Sequence, residues 1–327
     1  MKRITITFLC ICIASQTFSM GTKEGIQEQP SSIHIAALRG PSALGMSRLF
    51  ETGYSINTIA LTMQIASSID AVYPKLLNGD IDIAILPPNV AAKLYNKNPS
   101  SVIALAVVGN SMLSLLSRDP TIQSPTDLSG KKVYVAGQGA TPDYILRTLT
   151  TENLSDVSKV QYDYSLSTAD IATAIATGRI DYAFLPEPFV TLSMEVAKEK
   201  NNPLTISFSA QDSWAASGKG DDFPMTVCVV RKEFAKQHDS LVRDFLEAYR
   251  LSVQWTLDNP KRAGTLAEKA GIGLQAAVAE KAIPRCNLVF IPANEARGSL
   301  ERLLQIFLLF DSQSIGGRLP DDGFYFQ

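Results

Sequence analysis

The chain has 327 residues, 46% hydrophobic and 19% charged, enough to bury a sizeable core in one large or two medium domains. A formal net charge of −2 gives no reason to expect nucleic acid or an anionic membrane surface as a partner. The two histidines, His34 and His238, and the four cysteines form no Cys/His cluster, so a zinc site has no ligand set and no cofactor is expected.

Residues 1–21 read as a secretion signal. Lys2-Arg3 form a basic start, and Ile4 to Ala14 is an apolar run too short to span a bilayer. Small residues Thr17 and Ser19, or Ser19 and Gly21, suit a cleavage site. Loss of Lys2 and Arg3 takes the net charge from −2 to −4. Cys10 and Cys12 lack the small-residue context of a lipid-attachment cysteine, which leaves membrane association open. Cys228 and Cys286 can pair in an oxidising compartment or remain buried thiols. Residues 22–31 form a polar leader.

Ile33 to Leu38 is predicted as a strand, with a helix over about 43–52 after Gly40-Pro41-Ser42. Strand character follows at 56–63. A helix from about Ile69 ends at Asn78-Gly79, where glycine suits a left-handed stop. Asp82 to Leu86 is an apolar strand stopped by Pro87-Pro88. This βαβαβ series, with its short apolar strands, predicts a buried parallel sheet. Ala91 to Lys97 reads as a helix, and 101–108 and 113–117 as strands broken at Gly109-Asn110. A second βαβαβ series runs through strands at 133–136, 160–164 and 181–185. A helix at 189–200, a strand at 204–209 and a polar loop at 210–223 follow. A strand at 225–230 leads into helices at 232–257, 263–270, 275–281 and 294–310.

The chain contains one internal repeat. Gly79-Asp80-Ile81-Asp82-Ile83-Ala84-Ile85-Leu86-Pro87 returns as Gly178-Arg179-Ile180-Asp181-Tyr182-Ala183-Phe184-Leu185-Pro186, with six of nine positions identical. The strand-turn-helix at Gly40-Pro41-Ser42 returns as Gly139-Ala140-Thr141. Both offsets are 99 residues (178 − 79 and 141 − 42). Two similar α/β lobes facing one another satisfy this register, with the two helix starts pointing into the gap.

Ligands of open α/β sheets bind beyond the carboxyl ends of the strands, where helix N-termini project free N–H groups. Ser42 and Thr141 occupy those positions; alternatively, both merely cap their helices. Arg39, Gly40, Pro41, Ala43, Gly139 and Ala140 belong to the same turns. Pro88 and Asn89, with Glu187 and Pro188, edge the gap after the repeated strands. Asn110 is a candidate donor, and Trp214 a candidate stacking platform in the 210–223 loop. Asp82 and Asp181 suit local backbone caps. His34 is expected as a structural residue within a core strand. No nucleophile elbow, P-loop lysine or metal constellation is present, and Gly137-Gln138-Gly139 lacks the third glycine of a dinucleotide fingerprint.

Gly40-Pro41-Ser42-Ala43-Leu44-Gly45, the paired GDIDIAILP and GRIDYAFLP segments, and the closing Gly316-Gly317-Arg318-Leu319-Pro320-Asp321-Asp322 resemble substrate-binding proteins of bacterial ABC importers. Within these the chain is similar to the SsuA/THI5-like (NMT1-like) group, related to nitrate, sulfonate and thiamine-precursor binders. The resemblance covers the mature chain. It implies an α/β, type II periplasmic-binding-protein fold, with two lobes joined by two hinge strands. Lobe one is expected over 32–117 plus 226–327, and lobe two over 118–225. It also implies a monomeric, non-enzymatic periplasmic receptor that clamps a small polar or anionic ligand (an anion, a zwitterion or a heterocycle) and delivers it to a membrane permease. A pyrimidine-precursor enzyme on the same scaffold and a ligand-sensing domain are the alternatives. The eukaryotic pyrimidine-making relatives use a cysteine-rich segment that this chain lacks.

Overall fold

The computed structural model describes residues 30–66, 68–153 and 159–327. The expected secretion signal and most of the polar leader lie outside the described residues. Among the described residues no helix is long and apolar enough to cross a membrane.

The first sheet holds seven strands: β1 (Ser32–Leu38), β2 (Ser55–Ile56), β3 (Ile59–Ala66), β4 (Ile83–Leu86), β5 (Val102–Asn110), β11 (Pro224–Arg231) and β12 (Leu288–Pro292). Their order is β12-β5-β11-β4-β1-β3-β2. The second sheet holds β6 (Leu113–Ser117), β7 (Lys132–Val135), β8 (Gln161–Asp163), β9 (Tyr182–Pro186) and β10 (Thr205–Ser209), in the order β10-β6-β9-β7-β8. In each sheet the repeated strands pair in parallel: β1 with β3 and β4, and β7 with β8 and β9. The strand beside each repeat runs antiparallel, β11 against β4 and β6 against β9. Both sheets are therefore mixed, not purely parallel. The chain crosses between the sheets twice, from β5 to β6 and from β10 to β11, which defines the two-lobed, type II arrangement.

The strand at 113–117 corrects the expected crossing. β6 pairs with β9 and β10, so the chain changes sheets at Ser111-Met112 and not after residue 117. Its apolar sequence suits either sheet, and only the pairing decides. The return crossing precedes β11.

Helices cover both faces of each sheet. On lobe one, a 3-10 helix at Pro41–Phe50 packs with α8 (Asp239–Asp258), α9 (Pro260–Lys269) and α10 (Ala276–Ala282) on one side. α1 (Tyr73–Asn78) and α2 (Pro88–Lys97) cover the other side. On lobe two, α3 (Thr141–Asn153) and α6 (Ala210–Ala216) oppose α4 (Thr168–Ala176) and α5 (Phe189–Glu199). α7 (Lys232–Gln237) follows β11. α11 (Ala293–Phe310) serves both lobes. Its Ala293, Ala296 and Leu300 join the lobe-one core, whereas Leu303, Leu304 and Phe307 join the lobe-two core.

Local chemistry explains several boundaries. Gly79 stops α1 at φ 90°, in the left-handed region where a side chain would be strained. The segment expected as a helix over about 43–52 is the 3-10 stretch Pro41–Phe50, started by a proline that needs no N–H donor. The 210–223 loop is in part α6, because Ser209 accepts from the N–H groups of Gln211 and Asp212 and caps a first turn. The closing glycine-rich segment locks α2. Asn96 donates to the carbonyls of Ile315 and Arg318 at 2.7 and 2.6 Å, and Tyr95 donates to Asp321 at 2.5 Å. Asp82 is no local cap: it accepts from the His34 N–H at 3.0 Å and pairs with Arg231 at 3.2 Å. His34 lies within strand β1, with its side chain exposed and its Nε2 2.9 Å from the Ser32 hydroxyl.

Candidate ligand-binding site

The two repeated turns are built differently and end at one place. In lobe one, Gly40 adopts φ 104° and its N–H donates to Ile272 at 3.1 Å, which turns the chain so that Pro41 and Ser42 start the 3-10 helix. In lobe two, Asp143 accepts from the Gly139 N–H at 2.8 Å and from the Tyr164 hydroxyl at 2.6 Å, bracing the turn that delivers Thr141. Burial, reinforced by that bond to Asp143, pushes the Tyr164 phenol well above its ordinary range. Among the described residues, neither the Ser42 nor the Thr141 hydroxyl has a hydrogen-bond partner. Both are free for a guest, together with the N–H groups of the first helical turns.

These starts meet across a chamber of about 230 Å³. Lobe one contributes Pro41, Ser42, Pro87, Asn89 and Val90, and lobe two contributes Ala140, Thr141, Pro142 and Pro186. Met112, Met225 and Thr226, where the chain passes between sheets, form the remaining wall. The lining carries no formal charge. Its polar side chains are Ser42, Asn89, Thr141 and Thr226, set among four prolines and two methionines.

Asn89 and Val90 also line a second, outer cavity of about 530 Å³. There lobe one contributes Asp70, Tyr73, Lys93 and Lys97, and lobe two contributes Gln138 and Gly139, with Asp311 and Ser314 beyond the end of α11. The chamber and this vestibule share one helical wall. A larger groove of about 870 Å³ lies wholly within lobe one, between Glu51 and Lys269, and shares no lining residue with either repeated turn.

Of the residues singled out from the sequence, Pro41, Ser42, Asn89, Ala140 and Thr141 converge on the chamber, and Gly139 lies in the vestibule. Gly40, Ala43 and Pro88 are buried behind the lining. Arg39 does not enter the cleft: it is exposed, and its side chain lies beside Gly273. Trp214 is not a loop residue. It sits in α6, 1% exposed, against Phe223 in the lobe-two core at 5.0 Å. Asn110 is buried at the hinge, its N–H donating to Asn287. Glu187 is 3% exposed and faces away from the chamber, accepting from the Thr191 N–H and hydroxyl and from Arg285 at 2.6 Å. Pro188 precedes α5 and is buried. Sequence reasoning missed Met112, Met225 and Thr226. Their signal was position, since each flanks a crossing between sheets.

Cys228 and Cys286 are free and buried, which settles the alternative left open by the sequence. Burial pushes both thiols well above their ordinary range.

Two mixed α/β lobes with a cavity between their repeated helix starts define the class of two-lobed substrate-binding proteins. The particular family follows from the sequence: a family model described as NMT1/THI5 like matches residues 59–263, and the chain belongs to that family. Among solved structures, the chain is similar to an ABC transporter protein from Parabacteroides distasonis, at 26% identity and TM-score 0.77, covering 91% of this chain and 99% of that one. The periplasmic aliphatic sulphonate-binding protein SsuA from Escherichia coli shares the fold at 16% identity and TM-score 0.69, covering 91% and 93%. The periplasmic nitrate-binding protein NrtA from Synechocystis PCC 6803 does so at 11% identity and TM-score 0.65, covering 88% and 84%. No curated protein matches the chain. The structural neighbours named here are binding proteins and transporter components.

Proposed function

We propose that this protein is the extracytoplasmic substrate-binding component of an ABC importer, closing its lobes over one small molecule and presenting it to a membrane permease. The observation that carries the proposal is the convergence of Ser42 and Thr141, one from each lobe, on a single chamber with both hydroxyls unpaired. A guest touching both starts gains more contact when the lobes are together. That difference in affinity is what drives closure. The structural likeness to the periplasmic sulphonate-binding SsuA and nitrate-binding NrtA supports a periplasmic location and a permease partner. The lining contains no acid, base or thiol, which favours binding without turnover. Two lobes that together enclose the guest favour action as a monomer.

Native mass spectrometry of the protein purified from cells tests this. The expected result is a one-to-one adduct that denaturation releases unchanged. Ser42→Tyr combined with Thr141→Tyr fills the chamber and is expected to abolish the adduct while leaving the melting temperature within a few degrees of the parent. An adduct retained in full by the doubly filled variant overturns the assignment, and release of a chemically altered molecule overturns the absence of turnover.

A further inference from the structure

We infer that the ligand is an elongated anion, with a flat uncharged body in the inner chamber and an acidic tail held in the vestibule by Lys93 and Lys97. This rests on the chamber being the binding site, and it adds the polarity and orientation of the guest.

Two observations lead to it. First, the chamber has no ionised side chain, so a charge placed there would rest on the hydroxyls and N–H groups of the two helix starts alone, whereas the vestibule offers cationic side chains. Proline faces and the sulfurs of Met112 and Met225 instead suit a flat, polarisable body. The unpaired hydroxyls of Ser42 and Thr141 suit its one or two polar atoms.

Second, α2 begins at the chamber and runs outward along the vestibule. Asn89, Lys93 and Lys97 follow one another at four-residue spacing and so share one face of the helix. They form a graded wall, with an amide where the two cavities meet and ammonium groups further out. Among the described residues, neither lysine has an ion-pair or hydrogen-bond partner. Lys93 is half-buried, which strengthens its attraction for an anion relative to bulk water. Two carboxylates share the vestibule. Asp311 is engaged by the Gln313 N–H at 2.9 Å, and Asp70 is exposed. The lysines are the charged groups on the helical wall, and the two carboxylates lie elsewhere on the same lining. The two cavities share Asn89 and Val90 in their linings, and their combined volume falls within the roughly 300–1,000 Å³ typical of small-molecule sites.

The test titrates the full chain with three indoles that differ only at the end of a three-carbon tail: indole-3-propionate, its amide, and the corresponding primary amine. The acid is expected to bind about ten-fold more tightly than the amide, with the amine weakest. Raising the salt concentration is expected to shrink the gap, and Lys93→Ala combined with Lys97→Ala to close it by weakening the acid to about the level of the amide. Equal binding of acid and amide by the parent overturns the inference, as does tighter binding of the amine. Should none of the three bind, the molecule retained on purification decides. An anion lost from the double lysine variant supports the inference, and a neutral or cationic molecule overturns it while leaving the chamber as the site. If nothing is retained either, the chamber assignment falls and the inference with it.

Discussion

Arg285 donates through Nε to Glu187 Oε1 at 2.6 Å, tying lobe one to lobe two beside the hinge. Glu187 is 3% exposed in its side chain and Arg285 38% exposed, so the carboxylate is the partner that suffers if the pair is broken. Arg285→Ala leaves a buried charge supported by Thr191 alone. A loss of about 1–3 kcal/mol in urea unfolding is expected, reduced from a fully buried pair by the exposure of the arginine. Glu187→Gln retains shape and removes the charge, and is expected to cost less. Equal costs would show that the pair contributes through packing alone. A second tie, Lys281 to Glu195, lies nearby at greater exposure and is expected to contribute little.

Asp222 gathers the two crossings. It accepts from the Ser111 N–H at 3.0 Å, from Asn287 Nδ2 at 2.7 Å and from the Phe223 N–H at 2.9 Å. Asp222→Ala leaves these donors without their acceptor and is expected to destabilise the chain by about 2–3 kcal/mol. Because the bonds converge on the hinge, small-angle scattering of the unliganded variant is expected to report a larger radius of gyration. An unchanged radius would confine Asp222 to a purely local role.

Tyr95 carries a pH signature. Burial first, and the hydrogen bond to Asp321 second, push its phenol up to about 12. A phenol raised in the folded state stabilises fully below its unfolded value near 10, and that contribution disappears as pH rises through the folded value. Tyr95→Phe is therefore expected to cost about 1–2 kcal/mol at neutral pH, with the deficit narrowing between pH 10 and about 12. A deficit constant across that window in denaturant titrations would count against the assignment.

Trp214 separates core from site. Its indole is buried against Phe223, outside the cavity lining, so Trp214→Leu is expected to lower stability by about 2–4 kcal/mol while leaving ligand affinity within two-fold. A loss of affinity larger than the loss of stability explains would return Trp214 to the site.

The residues most legible in the sequence were those fixed by local chemistry repeated in register. The shared 99-residue offset placed Ser42 and Thr141 together, because each follows a strand end and a turn of its own. What stayed hidden was set by pairing over long distances. Glu187 looks like a cleft acid until Arg285, 98 residues on, is seen to hold it. β6 reads equally well in either sheet until its bonds to β9 are seen. Arg39 follows a strand that ends at the cleft, but the turn at Gly40 carries its side chain elsewhere. The face of α2 that borders the vestibule is equally silent in sequence, since helical spacing groups Asn89, Lys93 and Lys97 without saying what lies opposite.

α11 roots its first half in one apolar interior and its second half in the other, and Phe310 stacks on Tyr144 at 5.2 Å beyond that. A rod anchored so at both ends turns the opening of the cleft into a pivot with a fixed bearing and little twist. The same anchoring links the fates of the two halves on heating, because neither can melt without stripping this helix from its neighbour. One calorimetric transition, in place of two, is the expected signature.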